Sequence, residues 1–277
     1  MTATPIPRTL ALTLYGDLDV SVIDELPAGR KPVRTAWRRE SSRDAIYQFI
    51  RDELVKKRQV YIVYPLVEES EKIDLADATA AYEDLSHTQF KDFTLALLHG
   101  RMKQQEKDEV MQRFARGEVD ILVTTTVIEV GVDVPNATVM LVEHADRFGL
   151  TQLHQLRGRI GRGDVSSTCI LLTEGHLGDA ARTRMEIMSQ TNDGFIIAEK
   201  DLELRGPGDI LGVQQHGQLP LKLANIVTDG PLIEQTRKDA RGLLNSDPAL
   251  QNAEHSMLRQ LLADRNKKEG LSLLSVG

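Results

Sequence analysis

Short β-type runs recur along the chain in QVYIVYPLV, DILVTTT, ATVMLVEH and STCILLTE, and the first of them is apolar almost without interruption. A strand with one wet face alternates polar and apolar residues, so a continuous run describes a strand buried on both faces. Short strands alternating with helices point to a parallel sheet covered by helices on both faces. Helical spacing supplies those helices. In SSRDAIYQFIRDELVKK, Ile46, Phe49, Ile50 and Leu54 share one face, and Ser41 is a candidate N-cap with Asp44 three residues on. RMKQQEKDEVMQRFARGE places Val110, Met111 and Phe114 together and stops at Gly117, and a further helix is expected over 150–157. The fold class is α/β, a parallel sheet covered by helices and followed by a helical C-terminal part.

The chain has 277 residues, enough for about two domains of ~150 residues each. Residues 1–30 hold two β-type runs, TLALTLY and VSVID, and then a Pro/Gly/basic connector. They read as the end of a preceding unit plus a linker. The strand–helix pattern fills 31–185. From 186 to 277 the texture becomes helical: a helix pair broken at Asn192–Gly194, a Gly-rich loop, and amphipathic helices with a stop around Ser246–Pro248. This part is expected to form a separate appendage.

Composition narrows the function classes. With 4% aromatic residues, base-stacking platforms cannot dominate a nucleic-acid contact, and a net charge of −7 argues against binding by electrostatics alone. One cysteine, Cys169, sits among apolar neighbours and reads as a buried strand thiol of a reducing cytoplasm. No run approaches the ~20 apolar residues of a membrane span, and no basic-then-apolar leader follows Met1. A cytoplasmic protein without a membrane partner is expected.

Chemistry concentrates in GLTQLHQLRGRIGRGD, where Arg157, Arg159 and Arg162 crowd together before the first following carboxylate, Asp164. Guanidinium groups match phosphate oxygens and stay charged at any working pH, while Gly158 and Gly161 let a ligand or a neighbouring backbone approach. The competing reading pairs these arginines with Glu143, Asp146 or Asp164. The cradle that usually accompanies such arginines is missing: the chain contains no Gly-Lys dipeptide, hence no P-loop. No Asp-Glu-x-His or Asp-Glu-x-Asp quartet, HExxH, CxxC or GxSxG occurs either, and no metal site is expected. An arginine finger without a P-loop acts across a domain cleft or in trans.

The residues around the arginines extend the pattern. DILVTTTVIEVGVDVPNATVMLVEHADRFGLTQLHQLRGRIGR resembles the closing motifs of superfamily 2 helicases. Gly131 and Asp133 match a Gly-x-Asp element; Gln155, Gly158, Arg159, Gly161 and Arg162 match the final Gln-x-x-Gly-Arg-x-Gly-Arg element. TATP at 2–5 and LLHGRM at 97–102 match two further motifs, in the expected order. Together with VYPLVEESE and TNDGFIIAEKDLELRGPGDILGVQQHG, these stretches resemble the C-terminal motor region of the RecG family of ATP-dependent DNA translocases.

The resemblance implies a RecA-like second helicase lobe over 31–185, a translocation hairpin and loop after it, and ATP with Mg²⁺ held mainly by a first lobe. Arg159 and Arg162 would reach the γ-phosphate, with Gly131, Asp133, Gln155, Gly158 and Gly161 in the nucleotide cleft. Gly100, Arg101, Met102, Thr125 and Thr126 would meet DNA phosphates, positioning the strand without reading bases. Thr2, Thr4, Arg205 and Gln214 would couple the lobes. The implied partners are branched double-stranded DNA, the first lobe and a wedge domain of the same protein. The alternatives are the corresponding lobe of a transcription-repair coupling translocase, or a non-motor binding module on the same scaffold.

Overall fold

The computed structural model describes residues 31–65, 71–125, 133–205 and 229–269. Strands β1 (Arg34–Arg39), β2 (Gln59–Val63), β3 (Leu95–Leu98), β4 (Ile121–Thr124), β5 (Ala137–Val142) and β6 (Thr168–Thr173) form one six-stranded sheet in the order β1-β6-β5-β2-β4-β3. Every neighbouring pair is parallel, as the alternation of strands with helices predicts. Side chains alternate faces along each strand. Tyr61, Val63, Met140, Val142, Cys169 and Leu171 enter one core layer, and Val60, Ile62, Val139, Leu141, Ile170 and Leu172 enter the other.

Helices α1 (Arg43–Val55) and α2 (Glu71–His87) cover the second layer, with Ile46, Ile50 and Leu54 of α1 buried in it. The first layer lies under α3 (Gln104–Ala115), α4 (Leu150–Arg157), α5 (Asp179–Gln190) and α6 (Gly194–Arg205). Met111 and Phe114 of α3 are the buried pair that the spacing predicts, with Val110 packed beside them. One helix start is built differently from expectation. Ser41 lies in a 3-10 turn, α1 begins after Ser42, and no side chain caps it. At α3 the Glu106 carboxylate accepts the Lys103 N–H at 3.0 Å, satisfying one of the free donors of a helix N-terminus.

The first helices of the stretch expected as an appendage from 186 pack into the core of the sheet. Residue 185 falls inside α5, and Met185, Met188 and Ile197, all with 0% exposure, belong to the same core layer as the sheet. A break in a helical pattern marks an elbow and carries no information on what the two arms pack against. The described residues 31–205 thus form one compact unit. The second unit contains α7 (Gly230–Ser246) and α8 (Ser256–Glu269). Its corner is organised by Asp247, which accepts the N–H groups of Gln251 (2.8 Å) and Asn252 (2.9 Å) and contacts His255 Nδ1 at 2.8 Å. These bonds favour the carboxylate and hold its pKa below the ordinary aspartate range. Cys169 is buried and free, and burial pushes its thiol up to about 12. No helix among the described residues is long and apolar enough to cross a membrane.

Candidate functional site

Because the sheet is parallel, its loops divide into a carboxyl edge and an amino edge. Helix α4 starts after β5 and runs back along the sheet, so its last turn delivers the arginine segment to the amino edge. Two glycines fix it there. Gly161 has φ +73°, and a Cβ on it would stand 2.6 Å from Val33 Cγ2, just ahead of β1. A Cβ on Gly163 would stand 2.8 Å from the Pro135 carbonyl oxygen, just ahead of β5. Gly158 is different: its conformation is right-handed helical and a Cβ there would make ordinary contacts. The close approach expected at Gly158 belongs instead to Gly163.

This clamp brings together two of the residues nominated from sequence. Arg162 Nη1 lies 3.4 Å from Asp133 Oδ1, and its Nε donates to the Gly158 carbonyl at 3.3 Å. Arg159, half-buried beside them, makes no side-chain hydrogen bond or ion pair among the described residues. Below all three lies Tyr61, 1% exposed and packed against Phe114 at a ring separation of 5.0 Å. Burial pushes its phenol up to about 12, against the pull of Arg162 and Arg159 and with the push of Asp133. The amino edge therefore presents two cations and one carboxylate over an apolar floor. Gln155 is exposed on α4 nearby in the chain, and Gly131 lies outside the described residues.

Arg157 does something else. It is 3% exposed, pairs with no carboxylate, and donates from Nη1 to Thr35 Oγ1 (3.2 Å) and to the carbonyls of Met188 (3.0 Å) and Thr191 (2.8 Å). Those carbonyls close α5, where the helix dipole favours a cation. Its Nη2 is buried without a partner, and desolvation lowers its pKa. The competing reading, which pairs this cluster with Glu143, Asp146 or Asp164, meets other partners: Arg162 takes Asp133, Arg157 takes carbonyls, and Glu143 is held by Arg43. One turn earlier on α4, burial lowers the His154 pKa to about 4, helped by Arg157 and opposed by Asp193.

His154 is neutral in the fold and would charge in the unfolded chain below about pH 6.5, so the unfolded state binds more protons between about pH 6.5 and 4. Stability is complete above that window and falls as the pH drops through it. Allowing for partial solvent exposure, the loss is about 1–2 kcal/mol. His99, lowered in the same direction by burial, Lys107 and Arg101, adds to the slope. Urea midpoints measured from pH 7.5 to 5 should therefore fall, and His154→Gln should flatten that fall; an unchanged slope in the variant would exclude His154 as its source.

The carboxyl edge carries the other nominated group. After β3, Gly100 and Arg101 are exposed, while Met102 is turned partly into the core and its N–H bonds the His99 carbonyl at 3.2 Å. Thr125 directly follows β4, with 0% exposure and a hydroxyl that has no partner among the described residues. A phosphate contact expected there meets a buried residue: the first position past the strand is still held to the neighbouring strand, its N–H donating to the Leu98 carbonyl at 3.2 Å. Thr126, Thr2, Thr4 and Gln214 lie outside the described residues, as does the side chain of Arg205 at the end of α6.

The same edge holds a cluster that the sequence reading missed. Arg43 grips Glu143, 1% exposed, through two bonds of 2.7 and 2.9 Å, contacts the Tyr47 hydroxyl at 2.6 Å and also pairs with Glu40. Burial opposes the Arg43 charge and these carboxylates more than restore it. Its only sequence signal is an acidic residue closing the run ATVMLV. No group of three or more His, Cys, Asp or Glu side chains among the described residues could hold a metal ion.

The pattern for the helicase conserved C-terminal domain matches residues 42–164, and the pattern for the C-terminal part of domain 3 of the ATP-dependent DNA helicase RecG matches 191–273. The RecG helicase of Bacillus subtilis is 49% identical over 99% of this chain, which covers 40% of that protein. The Synechocystis protein of the same name is 50% identical over 97% of this chain and 32% of its own length. A solved structure of RecG bound to a three-way DNA junction superposes with a TM-score of 0.67 at 48% identity, covering 84% of this chain and 30% of that one. The chain thus spans about 40% or less of the relatives it matches.

Proposed function

The chain belongs to the RecG family, and we propose that it supplies the second motor lobe of an ATP-dependent translocase acting on branched double-stranded DNA in recombination and repair, in the cytoplasm. The observation that carries this reading is the meeting of Asp133 and Arg162 at one edge of the sheet, 29 positions apart in sequence. Two cations over a glycine-lined backbone suit a triphosphate, while nothing among the described residues suits Mg²⁺ or a β-phosphate cradle. Those duties fall to a first lobe, with residues 1–30 as its end and the linker.

ATP hydrolysis supplies the free energy of translocation. On this chain, Arg162 and Arg159 neutralise charge developing on the γ-phosphoryl oxygens, with Gly131 and Gln155 along the cleft and Asp133 beside Arg162. Gly158 sets the end of α4 and Gly161 with Gly163 sets the arginine backbone. At the opposite edge, Gly100, Arg101 and Thr126 hold DNA phosphates, with Met102 anchoring their loop. Thr125 acts from within, as the buried residue that follows β4. Thr2, Thr4, Arg205 and Gln214 carry lobe movement to the DNA and to the wedge domain.

The test separates the two halves of the claim. The isolated chain should turn over no ATP, and the protein joined to its P-loop lobe should turn over ATP faster with a three-way junction than with linear duplex. Turnover by the isolated chain, or no preference for the junction, would overturn the reading.

A further inference from the structure

The pose of Arg162 bears on how the proposed site is switched. Its backbone is pinned on both sides, by Gly161 against Val33 and by Gly163 against the Pro135 carbonyl, with no room for even a methyl group at either position. The guanidinium can therefore change place only by side-chain rotation. In the pose observed it is tethered twice within its own lobe, to Asp133 at 3.4 Å and to the Gly158 carbonyl at 3.3 Å. Both partners of the ion pair reach solvent, with side-chain exposures of 30% and 56%. Arg159 carries no such tether among the described residues, so the two arginines are not equivalent.

We infer that Asp133 is a positioning residue that holds Arg162 on its own lobe until a triphosphate arrives to displace it. The inference rests on the finger role proposed above for Arg162. An exposed ion pair changes a population by about five-fold at most, whereas a charge-assisted bidentate bond to phosphate is considerably stronger. The triphosphate held by the first lobe therefore takes the guanidinium once the lobes close on it, and Asp133 keeps it while they stand apart. Such a weak, specific tether suppresses turnover in the unstimulated enzyme without lowering the ceiling of the stimulated one.

The experiment uses the complete protein, with its first lobe. Asp133→Asn keeps the shape and removes the charge. Turnover in the absence of DNA should rise about two- to five-fold with the KM for ATP unchanged, and Asp133→Glu should restore the low rate. A purely structural role would move neither of these in that pattern. Unchanged or lower unstimulated turnover, or a raised KM for ATP, overturns the inference. Arg162→Ala distinguishes its failure from that of the underlying reading: an active Arg162→Ala enzyme removes the finger role itself, while an inactive one beside a wild-type-like Asp133→Asn enzyme removes only the tether.

Discussion

Arg162→Ala in the complete protein should reduce ATP turnover by about 10³-fold or more while leaving ATP affinity nearly unchanged. The size follows from where the charge acts. A guanidinium placed against a transferring phosphoryl group stabilises charge that exists only in the transition state, in a cleft where water no longer screens it. Ground-state binding depends on the phosphate cradle, which lies elsewhere. Stability should be untouched, since Arg162 is at the surface and its tethers are long. Single-turnover rates and nucleotide titration on the same variant check both halves; an unchanged kcat would remove Arg162 from the reaction.

The second large effect concerns stability. Gly161→Ala should destabilise this chain by about 2–5 kcal/mol, adding the cost of a left-handed φ in a residue with a Cβ to that of overpacking. The added methyl meets Val33 at 2.6 Å, at a backbone φ of +73°. Val33 is 8% exposed and begins the approach to β1, so it cannot yield without disturbing the edge of the sheet. Gly158→Ala, three residues away in a right-handed conformation, should stabilise by about 0.4–1 kcal/mol through the unfolded state. Urea midpoints of the two variants decide the matter; equal values would mean that the turn relaxes freely.

Most of the sheet was legible because strands buried on both faces cannot afford polar interruptions. Helix α4 was found at its observed limits, since apolar spacing and the following glycine bracket it. What stayed hidden depends on contacts between residues far apart. Nothing local distinguishes buried Arg157 from its neighbours Arg159 and Arg162; only the closing carbonyls of α5, about thirty positions later, account for its burial. Gly163 looked like one more small residue until Pro135 was placed against it. The hairpin of α5 and α6 read as a separate piece because its apolar residues are sparse, yet Met185, Met188 and Ile197 suffice to fuse it to the core. Glu143 and Arg43, 100 positions apart, gave no joint signal at all.

The sheet has one more consequence. Its strands are four to six residues long, so its two edges stand about 13–20 Å apart at ~3.3 Å per residue. Substitutions further apart than about 7–10 Å, without shared partners, add their energies independently. The loops of one edge can therefore diverge without altering the energetics of the other. A lineage could retune what its carboxyl edge grips while the arginine edge stays as it is.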